Sequence, residues 1–538
     1  MLLIAVFLSV ALLVVVIPIL LAKSKPGIAP FLCTLLAIAF ILGVSSLSYT
    51  KTDDEYITFR VVDNFVNGKG LTYNPGEKYE AITNIGWSIF LSLLPLAGLS
   101  LEIGSRWLSL GAALFCLWGV SRLADNLGGK KAGIIAPFLM LFVPFFHYWS
   151  TSGLETMAFC ALCAWSLALA TTTHRFPYYA VIAGVSSWLR PEAPLIFIAC
   201  FLLNLWNVDK SKRIASSITA LIMFIMLLGS LYIFRYLSYG TLQAPTAASK
   251  IPMDFSNLKD GFNVLATSLT FSPILFLGLF ICLPLLSSKR ILILFILSLC
   301  GIGYYTWLGF DTMKQERLLA PFIPALIALL AIGLASWKLS LSSNLQNYVK
   351  RLSIGLAAGL LIFSPYFLAL GNAKIINAGL ENGHRQVADY LVTNGSAEDC
   401  IAVQDAGVIG YFWHGKIIDL SGIFDPSIIA IHKAYGRVSN NSQQLPPNQL
   451  AEMNRKIADY ILEEVKPRFI ILVYTFSADG EIVPSKHNHN LGDDERFVSN
   501  YTHRKNYYYS PIYVLKLYEV TNSKTIPSFN GHIQATNL

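Results

Sequence analysis

An α-helix needs about 20 mainly apolar residues to cross the hydrocarbon core of a bilayer, and this chain repeats such runs from its start to about residue 370. They fall at 2–21, 28–47, 105–124, 132–149, 154–170, 178–188, 194–206, 214–234, 267–286, 291–308, 318–337 and 352–370. With 54% hydrophobic and 13% charged residues, the expected class is a polytopic α-helical membrane protein of about 11–12 transmembrane helices. A soluble globular protein is excluded. The runs 178–188 and 194–206 are too short to span singly and read as a broken hairpin around Arg190, Pro191 and Glu192, whose freed backbone lies against protein or water. The first run has no basic residue before it and no small-residue cleavage site, so it reads as a retained helix.

Orientation follows the basic residues. Lys23, Lys25, Arg122, Lys130, Lys131, Lys210, Lys212, Arg213, Lys289, Arg290, Lys350 and Arg351 border the apolar runs and mark cytoplasmic loops. The formal charge of +8 thus reports topology in a bacterial plasma membrane, and no nucleic-acid partner is expected. For the alternation to hold, 83–99 must lie in the outer interface without crossing. The expected organisation is a transmembrane domain over 1–370, with its first extracytoplasmic loop at 48–104, and a soluble extracytoplasmic α/β domain over 371–538. Strands are predicted at CIAV, KIIDL, RFIILVY and PIYVLKLYEV, and a helix over 450–465. Seven of the eight cysteines lie in apolar runs, with neither a disulfide framework nor metal-ligand spacing.

The longest polar interruption in the first 230 residues begins just after the second apolar run and carries Asp53 and Asp54 side by side. Thr52 and Glu55 have capping-box spacing, so a helix is predicted from Asp53, with Asn67-Gly68 as its stop. Acids in a first turn suit the helix dipole and need no catalytic role. Two adjacent carboxylates beside a low-dielectric membrane also suit proton-transfer chemistry. Other candidates recur in later loops. Arg190 and Glu192 sit at membrane depth, where they either pair or serve a substrate. Glu155 either caps a helix or reaches a polar ligand. Arg317 has the planar fork that matches two phosphate oxygens, or it pairs with Asp311 or Glu316. Lys250 offers a point charge to a phosphate, or is solvated. His487 and His489 form no metal motif.

Six motifs then occur in order: DDEYITFRVVDNFVNGKGLTYNPGEKYEAITNIGW, SGLET, WLRPEAPL, YGTLQAPTAASK, GFDTMKQERLLAP and VQDAGVIGYFWHGKIIDLSGIFDP. This series resembles bacterial GT-C membrane glycosyltransferases, in particular the terminal arabinofuranosyltransferases of mycobacterial arabinan and related pilin-modifying enzymes. The resemblance implies a many-helix fold, a polyprenyl-phosphate sugar donor, a glycan or pilin-like protein acceptor, and an acid of the first extracytoplasmic loop as base. It puts the family acid pair on Asp53 and Asp54. Donor-phosphate and substrate contacts are expected among Arg317, Lys250, Arg190, Glu155, Arg60, Glu80, Asn84 and Asp311. Asp53, the first residue after Thr52, is expected to face the loop cavity, and Asp54 to turn toward a cation. The chain departs from the family pattern at Glu55 and Ala81, and the extra carboxylate leaves open a divalent cation held by Asp53, Asp54 or Glu55. Other readings are a different sugar such as mannose, and a transporter or flippase of the lipid-linked sugar.

Overall fold

The computed structural model describes residues 51–172, 176–242, 244, 258–309, 316–336, 376–436, 445–477, 481–509 and 513–521. The candidate spans 2–21, 28–47 and 352–370 lie outside these residues. In chain order the helical part runs through α1 (Asp53–Val66), α2 (Ile85–Leu91), α3 (Leu101–Gly128), α4 (Lys130–Leu141), α5 (Pro144–Ser150) and α6 (Thr156–Ala170). It continues with α7 (Tyr178–Ser186), α8 (Ala193–Asn207), α9 (Lys210–Tyr239), α10 (Leu258–Phe271), α11 (Ile274–Ile281), α12 (Lys289–Leu308) and α13 (Ile323–Ser336).

Among the described residues α3, α9 and α12 are long and apolar enough to cross a membrane, and the number rises to 5 if each of two bent pairs is one span. At 1.5 Å per residue these three helices reach roughly 42, 45 and 30 Å. The expected run 132–149 is not one straight span, because α4 and α5 meet at 69°. Pro144 opens α5, and a proline there has no N–H with which to continue the preceding helix. A second break, of 90°, separates α10 from α11 at Pro273. Helix α13 is buried along its length from Ile323 to Gly333, which explains why its sequence is apolar on every face. The runs 178–188 and 194–206 become α7 and α8, interrupted at Arg190. The segment 83–99 forms the 7-residue α2 and a further turn, too short to cross.

Chain after residue 376 builds α14 (Gln386–Asn394), α15 (Ala406–Phe412), α16 (Pro426–Ala434), α17 (Pro447–Asp459), α18 (Glu495–Asn500) and strands β1 (Cys400–Val403), β2 (Lys416–Asp419), β3 (Phe469–Phe476), β4 (Ile482–Pro484), β5 (Tyr501–Tyr509) and β6 (Tyr513–Val520). The sheet has the order β2-β1-β3-β6-β5, with β4 also on β3. β1 is parallel to β2 and β3, which helical crossovers make possible, and the β3–β6 and β6–β5 pairs are antiparallel. Side chains alternate across β1: Ile401 and Val403 enter one core with Trp413 and Leu391, while Ala402 enters the other with Met453 and Ile457.

Helix α1 joins the two parts. Tyr56, Phe59 and Val62 pack into the helical bundle with Trp87 and Met157. Ile57 and Val61, on the neighbouring face, enter the sheet core with Ile401, Ile471 and Trp413. α1 is therefore a wedge, buried on both sides, and its first turn is held from both. It ends at Asn67, followed by Gly68 at φ 73°, a left-handed conformation that glycine adopts without a Cβ penalty.

Candidate active site

The capping box read from Thr52 and Glu55 does not form. Thr52 has the extended backbone of an N-cap, but its side chain makes no capping hydrogen bond. Glu55 turns inward, where its Oε2 accepts from Gly153 N at 2.8 Å and its Oε1 pairs with Arg106 at 3.3 Å. A fully buried carboxylate gains more from an amide and a guanidinium than from a half-solvated cap. Gly153 permits this approach, since a Cβ there would meet Phe59 at 2.7 Å and Glu55 Oε2 at 3.2 Å.

The two adjacent acids point to different neighbours: Asp54 turns toward a cation, Arg317, as expected, whereas Asp53, expected to face the loop cavity, meets backbone amides. Both Asp53 oxygens are taken by the C-terminal unit, accepting from Gly407 N and Val408 N at 2.8 Å each. Burial pushes its carboxyl up to about 6, against the nearby His384 charge and those two amides. Asp54 stays open, with its side chain 35% exposed and Oδ2 at 3.5 Å from Arg317 Nη1. One turn position decides this: residue 53 lies toward α15, and residue 54 lies toward Arg317.

From Asp54 a line of alternating charge runs inward. Arg317 Nη2 donates to Glu155 Oε1 at 3.1 Å, and Arg190 Nη1 donates to the same oxygen at 3.0 Å. Arg190 also grips Glu192 through Nε at 3.1 Å and Nη2 at 2.8 Å, so the pairing held open above is formed. Asn84 donates to Glu155 Oε2 at 2.7 Å. Tyr304 donates to Glu192 Oε1 at 3.4 Å. Glu155, Arg190 and Glu192 are all buried, which charged groups tolerate only when paired in this way. The Arg317 guanidinium lies 5.7 Å from the Trp149 ring centroid. Its Nε is buried and, among the described residues, has no hydrogen-bond partner.

Two expected substrate contacts are committed elsewhere. Arg60 is buried, with Nε donating to Tyr73 O at 2.7 Å, Nη2 to Gly415 O at 2.8 Å and Nη1 to the carbonyls of Gly410 and Trp413. It staples α1 to the end of α15, and its donors are spent on carbonyls instead of a phosphate. Glu80 is fully buried and chelated by Arg235, with Oε1 to Nη2 at 3.0 Å and Oε2 to Nε at 3.1 Å. Lys250 and Asp311 lie outside the described residues. A divalent cation fits poorly here: Asp53, Asp54 and Glu55 diverge to amides, to Arg317, and to Gly153 with Arg106. Among the described residues no three His, Cys, Asp or Glu side chains converge as a metal-ligand group.

Reading the sequence missed Arg106, Arg235, His384, Asp405 and Tyr513. A signal existed for Arg235, since an arginine amid apolar and aromatic residues in the last turns of a 30-residue apolar helix demands a partner. His384 had none, because its partners lie in other elements: Asp405 Oδ2 at 3.2 Å, and Tyr513, which itself donates to Asp405 at 2.8 Å.

Known proteins agree with this arrangement at the level of fold. ArnT from Cupriavidus metallidurans in its apo state superposes with a TM-score of 0.54 at 12% identity, over 90% of this chain and 97% of that one. ArnT bound to undecaprenyl phosphate gives 0.54 at 11% identity, over 90% and 96%. The fold is of the GT-C type. A polytopic membrane protein follows from that fold and from the apolar helices. In sequence, 182 residues are 29% identical to the terminal beta-(1->2)-arabinofuranosyltransferase of Mycobacterium tuberculosis (strain ATCC 25618 / H37Rv). That match takes in 30% of this chain and spans 29% of the curated relative's length. Residues 374–523 match a family described as a domain of unknown function (DUF8728).

Proposed function

We propose that this protein is a membrane glycosyltransferase that moves a sugar, arabinofuranose, from a polyprenyl-phosphate donor to a hydroxyl of an extracytoplasmic glycan or pilin-like protein, with Asp54 as general base. The observation that carries this reading is a partly exposed carboxylate next to a fixed guanidinium: Asp54 Oδ2 lies 3.5 Å from Arg317 Nη1. The acceptor oxygen attacks the anomeric carbon as Asp54 takes its proton, and the bond from that carbon to the phosphate oxygen breaks. Polyprenyl phosphate leaves with the bonding electrons, and the positive charge of the Arg317 guanidinium stabilises the oxygen on which charge develops. Glu155 and Trp149 fix the guanidinium so that it need not reorganise during the step. The choice of sugar leans on the name of the Mycobacterium tuberculosis relative, and the lipid carrier on the ligand of the ArnT structure.

Purified full-length protein given synthetic polyprenyl-phosphate arabinofuranose and, separately, the mannose analogue should consume the former at least about tenfold faster. Equal or reversed preference would replace the sugar. Arg317→Lys should lower transfer about tenfold or more, because a point charge loses the fork that reaches Glu155 and the phosphate together. Normal turnover in that variant would make Arg317 a structural tie between Asp54 and Glu155. On orientation, Ser499→Cys, exposed on α18, should react with a membrane-impermeant maleimide added outside intact cells made permeable only at any outer layer. Labelling that requires lysis would reverse the topology.

A further inference from the structure

Beneath Asp53 lies a group of polar side chains that the transfer step does not touch. His384 is fully buried, with Nε2 at 3.2 Å from Asp405 Oδ2, and it sits edge-on to the rings of Tyr509 and Tyr513, 5.3 and 6.1 Å away between centroids. Asp405 immediately precedes α15, whose Gly407 and Val408 amides hold Asp53. Two carboxylates from separate parts of the chain therefore lie at the same end of α15, Asp53 on its first amides and Asp405 held by His384 and Tyr513. Burial alone would lower the His384 pKa. The bond from Asp405 and the charges of Asp53 and Asp405 outweigh that and raise it, while the His384 bond keeps Asp405 below its ordinary value. Gly407 is the only residue type that fits there: a Cβ at 407 would fall on the Asp53 carbonyl oxygen. Tyr73 adds a further tie, donating to Ala406 O at 2.5 Å.

We propose that His384 is a positioning residue: by holding Asp405 at the entrance to α15, whose Gly407 and Val408 amides grip Asp53, it clasps the first turn of α1 to the sheet unit and so aims Asp54 at the acceptor. The consequence for transfer rests on the reading of Asp54 given above; the clasp itself does not. It also gives the adjacent acids separate tasks, one anchored and one free.

The test uses the full chain and two readouts: amide hydrogen exchange over 53–66, and transfer kinetics from polyprenyl-phosphate arabinofuranose. His384→Phe keeps a ring beside the two tyrosines and removes the hydrogen bond to Asp405. It should speed exchange in the first turn of α1 at least about tenfold, and lower kcat by a similar factor with the donor KM within about threefold. Adding Asp405→Asn removes the carboxylate that His384→Phe leaves without its partner and should recover most of both losses. Gly407→Ala should loosen the same turn by steric means. Unchanged exchange in His384→Phe overturns the clasp. Loosened exchange with unchanged kcat overturns its catalytic role, and so does loss of kcat that Asp405→Asn does not repair. A wild-type protein inert on the donor sinks the transferase reading alone, and the exchange arm still decides the clasp.

Discussion

Asp54→Asn should slow sugar transfer by about 100-fold or more while the protein folds normally. Asparagine keeps the size of the side chain and its ability to accept from Arg317, and only proton-accepting power is lost. Because Asp54 is 35% exposed and meets Arg317 at 3.5 Å, the variant strands no buried charge, and thermal unfolding should hardly move. Asp53→Asn behaves differently. Its oxygens accept two amides from α15, so an amide in place of one oxygen breaks one of those bonds. The expected result is a moderate loss of rate together with looser amide exchange in α1. A larger catalytic loss in Asp53→Asn than in Asp54→Asn would return the base to residue 53.

Glu155→Ala should destabilise the protein by about 3–5 kcal/mol, the usual cost of removing one member of a buried ion pair. Glu155 is fully buried, and its Oε1 accepts from both Arg190 and Arg317, at 3.0 and 3.1 Å. Without it Arg190 retains Glu192, and Arg317 retains only the longer contact to Asp54 among the described residues. Asn84 loses its 2.7 Å acceptor as well. Detergent-solubilised protein should show a clear fall in thermal midpoint, and Glu155→Gln, which keeps one acceptor for Asn84 or an arginine, a smaller one. An unchanged midpoint for Glu155→Ala would mean that water or other groups already satisfy the two arginines.

Much of this arrangement could be read from residue patterns. Runs of apolar residues identified the helices, and alternation or unbroken apolarity identified β1, β2, β3 and β6. The strand β5 was not legible, because His503, Arg504 and Lys505 make its outer stretch look like a solvated loop. Bends at Pro144 and Pro273 turned expected spans into angled pairs, since a proline says where a helix breaks and not by how much. At the site, the types of residue were legible but their partners were not. Thr52 and Glu55 match a local capping pattern, yet Glu55 found better partners 51 and 98 residues away. Arg60 looked free for a ligand because three of the four carbonyls it binds come from residues 350 and more positions later. Asp53 and Asp54 are distinguished by a single 100° step around α1, and which face meets α15 is decided by tertiary packing.

One measurement bears most directly on the central claim: the fate of the sugar–phosphate bond when the protein, reconstituted in liposomes, meets a polyprenyl-phosphate sugar and an acceptor carrying free hydroxyls. The account predicts a glycosylated acceptor and one free polyprenyl phosphate per sugar moved, at a rate that Asp54→Asn cuts by about 100-fold. Intact donor redistributed between the two leaflets, at a rate indifferent to Asp54→Asn, would contradict it and make the protein a carrier of the lipid-linked sugar.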